Sequence, residues 1–273
     1  MIGLVSRPVA ALSAVAVALV LAVGASPVRQ QPTVVSAASA PAGERTVLPA
    51  ADPSPVPVPT QPEPQPGPAE PVDCSRAKCI ALTFDDGPVR QTATLLDVLK
   101  ARGARATFFV LGSMARKRPA LLRRMVAEGQ AIGNHSWNHP QFFDMSSKAV
   151  RSQIRKTDAV IRKATGRAPS LMRPPFGEQN ARIRKAVRGF DDPVILWNID
   201  TQDWKYRNTK RLVSYVTHHA KRNAIVLMHD IRPTTRAAVP AIVEKLQAKG
   251  YTLVTVPELL RGRLKAGHVY THG

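Results

Sequence analysis

The stretch ALTFDDGP, residues 81–88, runs from an apolar segment into two adjacent carboxylates and then into Gly-Pro. The apolar segment predicts a buried strand, and Gly-Pro predicts that the chain turns immediately after it. Asp85 and Asp86 are therefore expected where a strand leaves the core. Because a single Asp is common at turns, two in succession indicate a turn, a cation site or an acid–base pair.

Strand-like and helix-like patterns alternate along the chain from Cys79 onward. The strand-like runs are CIALTF, ARATFFVLG, QAIGNH, APSLMRPPFG, DPVILWNID, AIVLMHD and YTLVTV, and helical patterns stand between most of them. We count seven β–α units, and this repetition predicts a parallel sheet that is either a barrel or doubly wound.

Polar residues come directly after the apolar segments IALTF, QAIGN, SLM, VILWNI and IVLM of these runs, and they are Asp85–Asp86, His135, Arg173, Asp200 and His229. In a β/α barrel, the carboxyl ends of the strands form one face, where active sites assemble. A doubly wound sheet would instead gather its ligands at one switch point. Polar side chains after five different strands therefore predict a barrel of about seven parallel strands.

The first 73 residues are not expected to belong to the folded domain. A basic residue precedes an apolar segment over 8–26 that ends in Val-Gly-Ala, which indicates a secretory signal or a retained membrane anchor within 1–26. Ten of the 23 residues from 49 to 71 are proline, so 27–73 are predicted to be a disordered linker. Residues 74–273 then form one domain that is secreted or tethered to the cell surface, with a membrane contact only through the N-terminal segment.

Residues 74–273 are strongly basic. They contain 36 of the 39 Lys and Arg residues and 14 of the 19 Asp and Glu residues, which gives a net charge of +22. A domain with this charge is attracted to polyanions. We find no nucleic-acid-binding motif, and only 5% of the residues are aromatic, so the expected partner is an anionic cell wall and not nucleic acid.

The chain has two cysteines, Cys74 and Cys79. In an exported protein they are expected to form a disulfide, because a zinc site would need further Cys or a neighbouring His at matching spacing. This bridge would fix the entry of the chain into the first strand.

The sequence NHSWNHP places His135 and His139 four positions apart, so both imidazoles reach one face of a helix or of a tight turn. Two neutral imidazoles and one Asp from a neighbouring strand make a three-ligand metal site with positions left open for water and substrate. Zinc fits this set best, but the ligands do not exclude other divalent ions. A ferrous iron oxygenase uses the same ligand types and is an alternative from another class of enzyme.

Further residues suit hydrolysis. One member of the Asp85–Asp86 pair binds the metal in this hypothesis, and the other takes a proton from water. His229 comes from another strand and is the candidate acid, with Asp203 as the carboxylate that favours its protonated form. Arg173 is expected to pair with the basic Asp and keep it ionised.

Five motifs occur in a fixed order, namely T-F-D-D-G, H-S-x-x-H, R-P-P-F-G, D-x-x-D-W and L-x-H-D. Together they resemble the polysaccharide deacetylases, which are carbohydrate esterase family four with the NodB-homology domain. The resemblance covers nearly the whole folded part. It implies a distorted (β/α) barrel and the metal-dependent removal of acetyl groups from N-acetylglucosamine polymers.

The resemblance also implies a role for each matching position. The implied catalytic residues are Asp85 as general base, Arg173 to orient it, His229 as acid and Asp203 to tune that acid. The implied metal ligands are Asp86, His135 and His139. The substrate is expected at Pro175, Phe176, Trp204 and Leu227, with the backbone N–H of Phe176 in the oxyanion hole.

These patterns lead us to expect a monomeric, secreted deacetylase that uses zinc or another divalent ion such as cobalt. Its positive charge favours anionic peptidoglycan over neutral chitin oligomers or acetylxylan. A catalytically inactive wall-binding module is the alternative that the charge alone would explain. Two positions depart from the family pattern, since Phe176 stands where Tyr is frequent and Arg232 where His is common.

Overall fold

A computed structural model of the chain describes residues 72–273. The predicted signal or anchor over 1–26 lies outside the described residues, and so does the predicted linker over 27–73 except for its last two residues. Within 72–273, no helix combines the length and the hydropathy that a membrane crossing requires.

Strands and helices alternate along the described part of the chain. The strands are β1 (Cys79–Asp85), β2 (Ala106–Val110), β3 (Ala131–Asn134), β4 (Val194–Ile195), β5 (Ile199–Asp200), β6 (Ala224–His229), β7 (Thr252–Leu253) and β8 (Val269–Tyr270). The helices are α1 (Thr92–Ala101), α2 (Gly112–Ala115), α3 (Pro119–Ala127), α4 (Ser147–Thr165), α5 (Ala181–Arg188), α6 (Asp203–Tyr206), α7 (Thr209–His219), α8 (Pro233–Ala248) and α9 (Val256–Leu259), with a 3₁₀ helix over Pro175–Gly177.

The centre of the fold is β1, in which all seven residues are buried. It pairs in parallel with β2 on one side and β6 on the other, and the main sheet has the order β3-β2-β1-β6-β5. Strand β7 pairs with the start of β1, and β4 pairs with β8. Parallel bridges from Asn134 to Met172 and from Met172 to Val194 continue the sheet from β3 to β4. Every strand ladder is parallel, which confirms the predicted α/β barrel-like class.

Two of the predicted strands are wrong in detail. In APSLMRPPFG only Met172 pairs with a neighbour, because the prolines that follow Arg173 cannot donate hydrogen bonds to a ladder. The run DPVILWNID forms two strands of two residues, β4 and β5, and not one. Where β4 ends, the carbonyls of Ile195 and Leu196 accept hydrogen bonds from the Arg173 side chain, so the buried arginine holds the chain at the break between the two strands. Strand β8 has no counterpart in the sequence prediction.

The predicted disulfide is present between Cys74 and Cys79, whose Cα atoms are 5.5 Å apart. It closes the turn that leads into β1, where Cys79 is fully buried.

The ends of the long helix α4 also lie where the sequence predicts them. The side chain of Ser146 accepts a hydrogen bond from the Ala149 N–H at its start, and Gly166 ends it with a left-handed φ of 83°.

Candidate active site

A cleft of about 460 Å³ opens at the carboxyl ends of the parallel strands. Its wall includes Asp85, Asp86, His135, His139, Pro174, Phe176, Gly177, Trp197, Asp200, Trp204, Leu227, His229 and Arg232. Arg173 and Asp203 lie directly behind this wall and are buried. Pro175 is buried too and does not line the cleft, whereas its neighbour Pro174 does. The structure thus brings together all the residues predicted for the site except Pro175.

Asp86, His135 and His139 form a compact set of metal-type donors. The Oδ1 atom of Asp86 lies 3.7 Å from Nε2 of His135 and 3.6 Å from Nε2 of His139, and one ligand atom from each residue lies within 4.8 Å of the others. Asp86 Oδ1 is buried and has no hydrogen-bond partner among the described residues. An unpartnered buried carboxylate oxygen beside two imidazole nitrogens fits a divalent cation.

The imidazole of His135 is held in the form that a metal requires. Its Nδ1 lies 2.6 Å from the carbonyl oxygen of Arg173, so Nδ1 carries the proton and donates it, and the lone pair of Nε2 faces Asp86. Burial lowers the pKa of His135 to about 3. The ring therefore stays neutral at physiological pH, and its backbone partner fixes the tautomer in the manner common for ligating histidines.

Strained backbone and side-chain contacts shape the two loops that carry these ligands. Asp86 and His139 have left-handed φ values of 73° and 62°, which are unusual for residues other than glycine. Gly87 follows Asp86 because a Cβ there would lie 2.3 Å from the carboxylate oxygens of Asp230. Asp230 is fully buried, and burial with the charge of Asp86 raises its pKa to about 7.

Helix α4 supports the loop between the two histidines. Asn134 accepts a hydrogen bond from the Ser136 N–H at 2.7 Å and donates one to Asp158 of α4 at 2.7 Å. Gln153, also of α4, accepts from the Trp137 N–H at 2.8 Å. These supporting residues were not predicted, because a polar residue on a helical pattern does not reveal which loop lies above it.

Asp85 and Arg173 form a buried pair behind the metal-type donors. Nη1 of Arg173 donates to Asp85 Oδ1 at 2.8 Å and to Thr83 Oγ1 at 2.7 Å, and the guanidinium lies 4.1 Å from the centre of the Phe109 ring. Burial raises the pKa of Asp85, and the charge of Arg173 opposes part of that rise. The second oxygen, Oδ2, lies 3.7 Å from His135 Nε2. Asp85 therefore presents one oxygen to the arginine and the other toward the metal-type donors.

His229 and Asp203 form a second pair on another strand. Nδ1 of His229 donates to Asp203 Oδ1 at 2.7 Å, and Asp203 Oδ2 accepts from the His229 N–H at 2.8 Å and from Thr235 Oγ1 at 2.6 Å. Burial alone would lower the pKa of His229, but the hydrogen bond and charge of Asp203 outweigh it and raise the pKa to about 9. His229 is therefore protonated at neutral pH, with Nε2–H available as a proton donor.

Apolar side chains surround these polar groups. Phe176 and Trp204 are exposed at the cleft, whereas Leu227 is buried. The ring of Phe176 meets that of His139 edge to face with centroids 4.4 Å apart. Trp197 also lines the cleft and was missed, because its run DPVILWNID resembles an ordinary buried strand. Its indole lies against Gly177, where an added Cβ would approach it to 3.0 Å.

A family model described as polysaccharide deacetylase matches residues 73–191. The peptidoglycan-N-acetylglucosamine deacetylase PgdA of Listeria monocytogenes is 44% identical over 194 residues, which are 71% of this chain and 41% of that protein. This chain therefore spans about two fifths of the length of that relative.

Solved structures match over a larger share of their length. The peptidoglycan deacetylase PdaC from Bacillus subtilis is 43% identical, with a TM-score of 0.66 over 69% of this chain and 92% of that chain. A family 4 acetyl xylan esterase from Clostridium thermocellum, in complex with a cobalt ion, is 32% identical, with a TM-score of 0.67 over 71% of this chain and 98% of that chain.

Proposed function

Since the chain belongs to the polysaccharide deacetylase family, we propose that it is a secreted, metal-dependent hydrolase that removes N-acetyl groups from N-acetylglucosamine-containing polysaccharide. Peptidoglycan or chitin oligomers are the proposed substrates. The observation that carries this proposal is the meeting of three groups in one cleft: the donors Asp86, His135 and His139, the Asp85–Arg173 pair and the His229–Asp203 pair.

The donor triad supports a divalent ion, proposed to be zinc, held by Asp86, His135 and His139. Such an ion, when bound, lowers the pKa of water and polarises a carbonyl oxygen. Asp85 is the proposed general base, because its oxygen Oδ2 faces the donors while Arg173 holds the other oxygen. The raised pKa of Asp85 makes it a stronger base, and the arginine keeps it ionised.

His229 is the proposed acid that protonates the departing amine. Its pKa of about 9 keeps the proton on the ring at neutral pH. Asp203 orients the imidazole through Nδ1, so that the other ring nitrogen is free to donate. The backbone N–H of Phe176, in a residue with a left-handed φ of 58°, is the proposed donor to the oxygen of the tetrahedral intermediate. Trp204 and Leu227 are proposed to enclose the acetyl methyl group.

Peptidoglycan is favoured over neutral polymers by two observations. The domain over 74–273 carries a net charge of +22, and the relatives PgdA and PdaC are named for peptidoglycan deacetylation. Hydrolysis of acetylxylan is a second candidate function, because the acetyl xylan esterase from Clostridium thermocellum matches with nearly its whole chain. A basic protein that acts on an anionic wall is also expected outside the cytoplasm.

The proposal is tested by acetate release from the full-length protein. Defined N-acetylglucosamine oligomers, peptidoglycan fragments and acetylxylan are compared as substrates. Each substrate is assayed with the untreated protein, with protein from which a chelator has removed bound metal, and with that protein after zinc is restored. We expect acetate from the amide substrates, loss of release after chelation and recovery with zinc.

Other outcomes separate the alternatives. Release from acetylxylan only would replace the amidase by an esterase. Binding to peptidoglycan with no acetate from any substrate, even with metal supplied, would indicate a wall-binding module. Consumption of oxygen in the presence of ferrous iron and a reductant would indicate an oxygenase.

A further inference from the structure

Arg232 is the only lysine or arginine among the described residues that line the cleft. Its N–H donates to the carbonyl oxygen of His229 at 3.1 Å, which closes a turn between the two residues. Arg232 then precedes helix α8 as its N-cap residue. Backbone structure thus fixes this cation next to the proposed acid, on the wall of the cleft.

The hydrogen-bond donors of the Arg232 guanidinium are not all satisfied within the fold. Its Nε is buried without a hydrogen-bond partner in residues 72–273, and it forms no ion pair with a carboxylate of that range. Arg236, one helical turn later, differs because its Nη1 donates to the carbonyl oxygen of Asp230 at 2.6 Å. A buried donor without a partner is unfavourable, so an acceptor on a bound ligand would complete the hydrogen bonding of Arg232.

A guanidinium is best matched by a carboxylate, which accepts two parallel N–H bonds. Peptidoglycan supplies carboxylates on the sugars that alternate with N-acetylglucosamine, because each muramyl sugar bears a lactyl group. That lactyl group ends in a free carboxylate or in a peptide with carboxylates of its own. Chitin oligomers and xylan backbones offer no such group.

We propose that Arg232 binds a carboxylate of the muramyl sugar and thereby selects peptidoglycan over neutral polysaccharides. This inference rests on the proposed deacetylation and names the substrate feature that the cleft recognises. Arg232 is a specificity-determining residue in this proposal and takes no part in the proton transfers of Asp85 and His229.

The test compares four substrates with the wild-type protein: an N-acetylglucosamine tetramer, a tetrasaccharide of alternating N-acetylglucosamine and N-acetylmuramic acid, the same tetrasaccharide with its lactyl carboxylates converted to methylamides, and one with intact stem peptides. We expect kcat/KM to be about tenfold higher for a carboxylate-bearing substrate than for the methylamide. A preference for the free lactyl form assigns the lactyl carboxylate, and a preference for the peptide-bearing form alone assigns a peptide carboxylate.

The variant Arg232→Gln is expected to lose this preference, so that its kcat/KM values for the carboxylate and methylamide substrates differ by less than about twofold. Lys210→Gln is the matched control, since it removes the same charge from an exposed residue outside the cleft, and it should keep the preference. Equal rates of the wild-type protein on the carboxylate and methylamide substrates would overturn the proposal, as would an undiminished preference in Arg232→Gln. The comparison of carboxylate and methylamide substrates with the wild-type protein tests the proposal even if the variant does not fold. Acetate release from the neutral tetramer without a preference for carboxylate substrates would refute only the proposed role of Arg232. The absence of acetate release from every substrate would refute the proposed deacetylation as well.

Discussion

Replacing Asp203 by Asn tests whether the carboxylate beside His229 sets the protonation of the proposed acid. Asn has nearly the same shape and still accepts hydrogen bonds from the His229 N–H and from Thr235, but it removes the negative charge. The hydrogen bond and charge of Asp203 are the main causes that raise the pKa of His229 to about 9. Without them, burial opposes the smaller effects of the Asp85 and Asp86 charges, and the pKa should fall to about the ordinary value of 6.5.

The size of the effect follows from this change in pKa. A fall from about 9 to about 6.5 corresponds to about 3 kcal/mol of lost stabilisation of the imidazolium. At pH 8 the protonated fraction falls from about nine tenths to about 3%, so the rate should fall about 30-fold. At pH 6 most of the imidazole is protonated in either protein, and the rate should fall less than about twofold. The rate must fall on the basic side of the pH profile, because activity that needs a protonated group is lost as the pH rises through the pKa of that group.

The assay is the dependence of kcat on pH, measured by acetate release from an N-acetylglucosamine oligomer between pH 5 and pH 10. The basic limb should move from near pH 9 in the wild-type protein to about pH 6.5 in Asp203→Asn. Asp200→Asn is the control, since Asp200 lines the same cleft but its oxygen accepts from the Gln202 N–H and not from His229. An equal loss of rate at pH 6 and pH 8, with an unmoved basic limb, would refute the reasoning.

The remaining predictions concern metal binding and the buried arginine. His139→Gln should weaken zinc binding at least about 100-fold in calorimetric titration, because it removes one of three ligands. The control His218→Gln changes an exposed histidine and should bind zinc as the wild type does. Equal zinc affinity in the two variants would place the metal elsewhere. Arg173→Met should lower the free energy of unfolding in urea by about 3–5 kcal/mol, because it leaves Asp85 buried without its partner. Arg124→Met breaks two partly exposed ion pairs, with Asp97 and Glu128, and a hydrogen bond to the Ala93 carbonyl. It should cost less, about 1 kcal/mol for each ion pair at most, and a loss as large as that of Arg173→Met would show that the buried pair is not special.

Much of the fold could be predicted because local patterns and the fold agree. Helix α4 has its apolar stripe, its Ser cap and its closing Gly in the sequence, and β1 is a continuous apolar run that is buried on both faces. The break between β4 and β5 could not be predicted, since the carbonyls of Ile195 and Leu196 accept hydrogen bonds from the buried side chain of Arg173. Such contacts join residues more than 20 positions apart and leave no periodic signal.

The candidate site could be predicted in part for a similar reason. Polar residues after strand-like runs identify the edge of the sheet at which Asp85, His135 and His229 meet. Spacing alone did not distinguish the two adjacent aspartates. The left-handed backbone of Asp86, which turns its carboxylate to the histidines while Asp85 stays paired with Arg173, appears only in three dimensions.

The proposal that Asp86 binds the metal while Asp85 acts as general base is tested by Asp85→Asn, with zinc content and acetate release measured on the same preparation. We predict that the variant retains one zinc ion per chain, because Asp86, His135 and His139 are untouched. We predict that its kcat is lower by about 10²–10⁴-fold, because the proposed general base is lost. Turnover at the wild-type rate by a zinc-loaded variant would contradict the proposed mechanism.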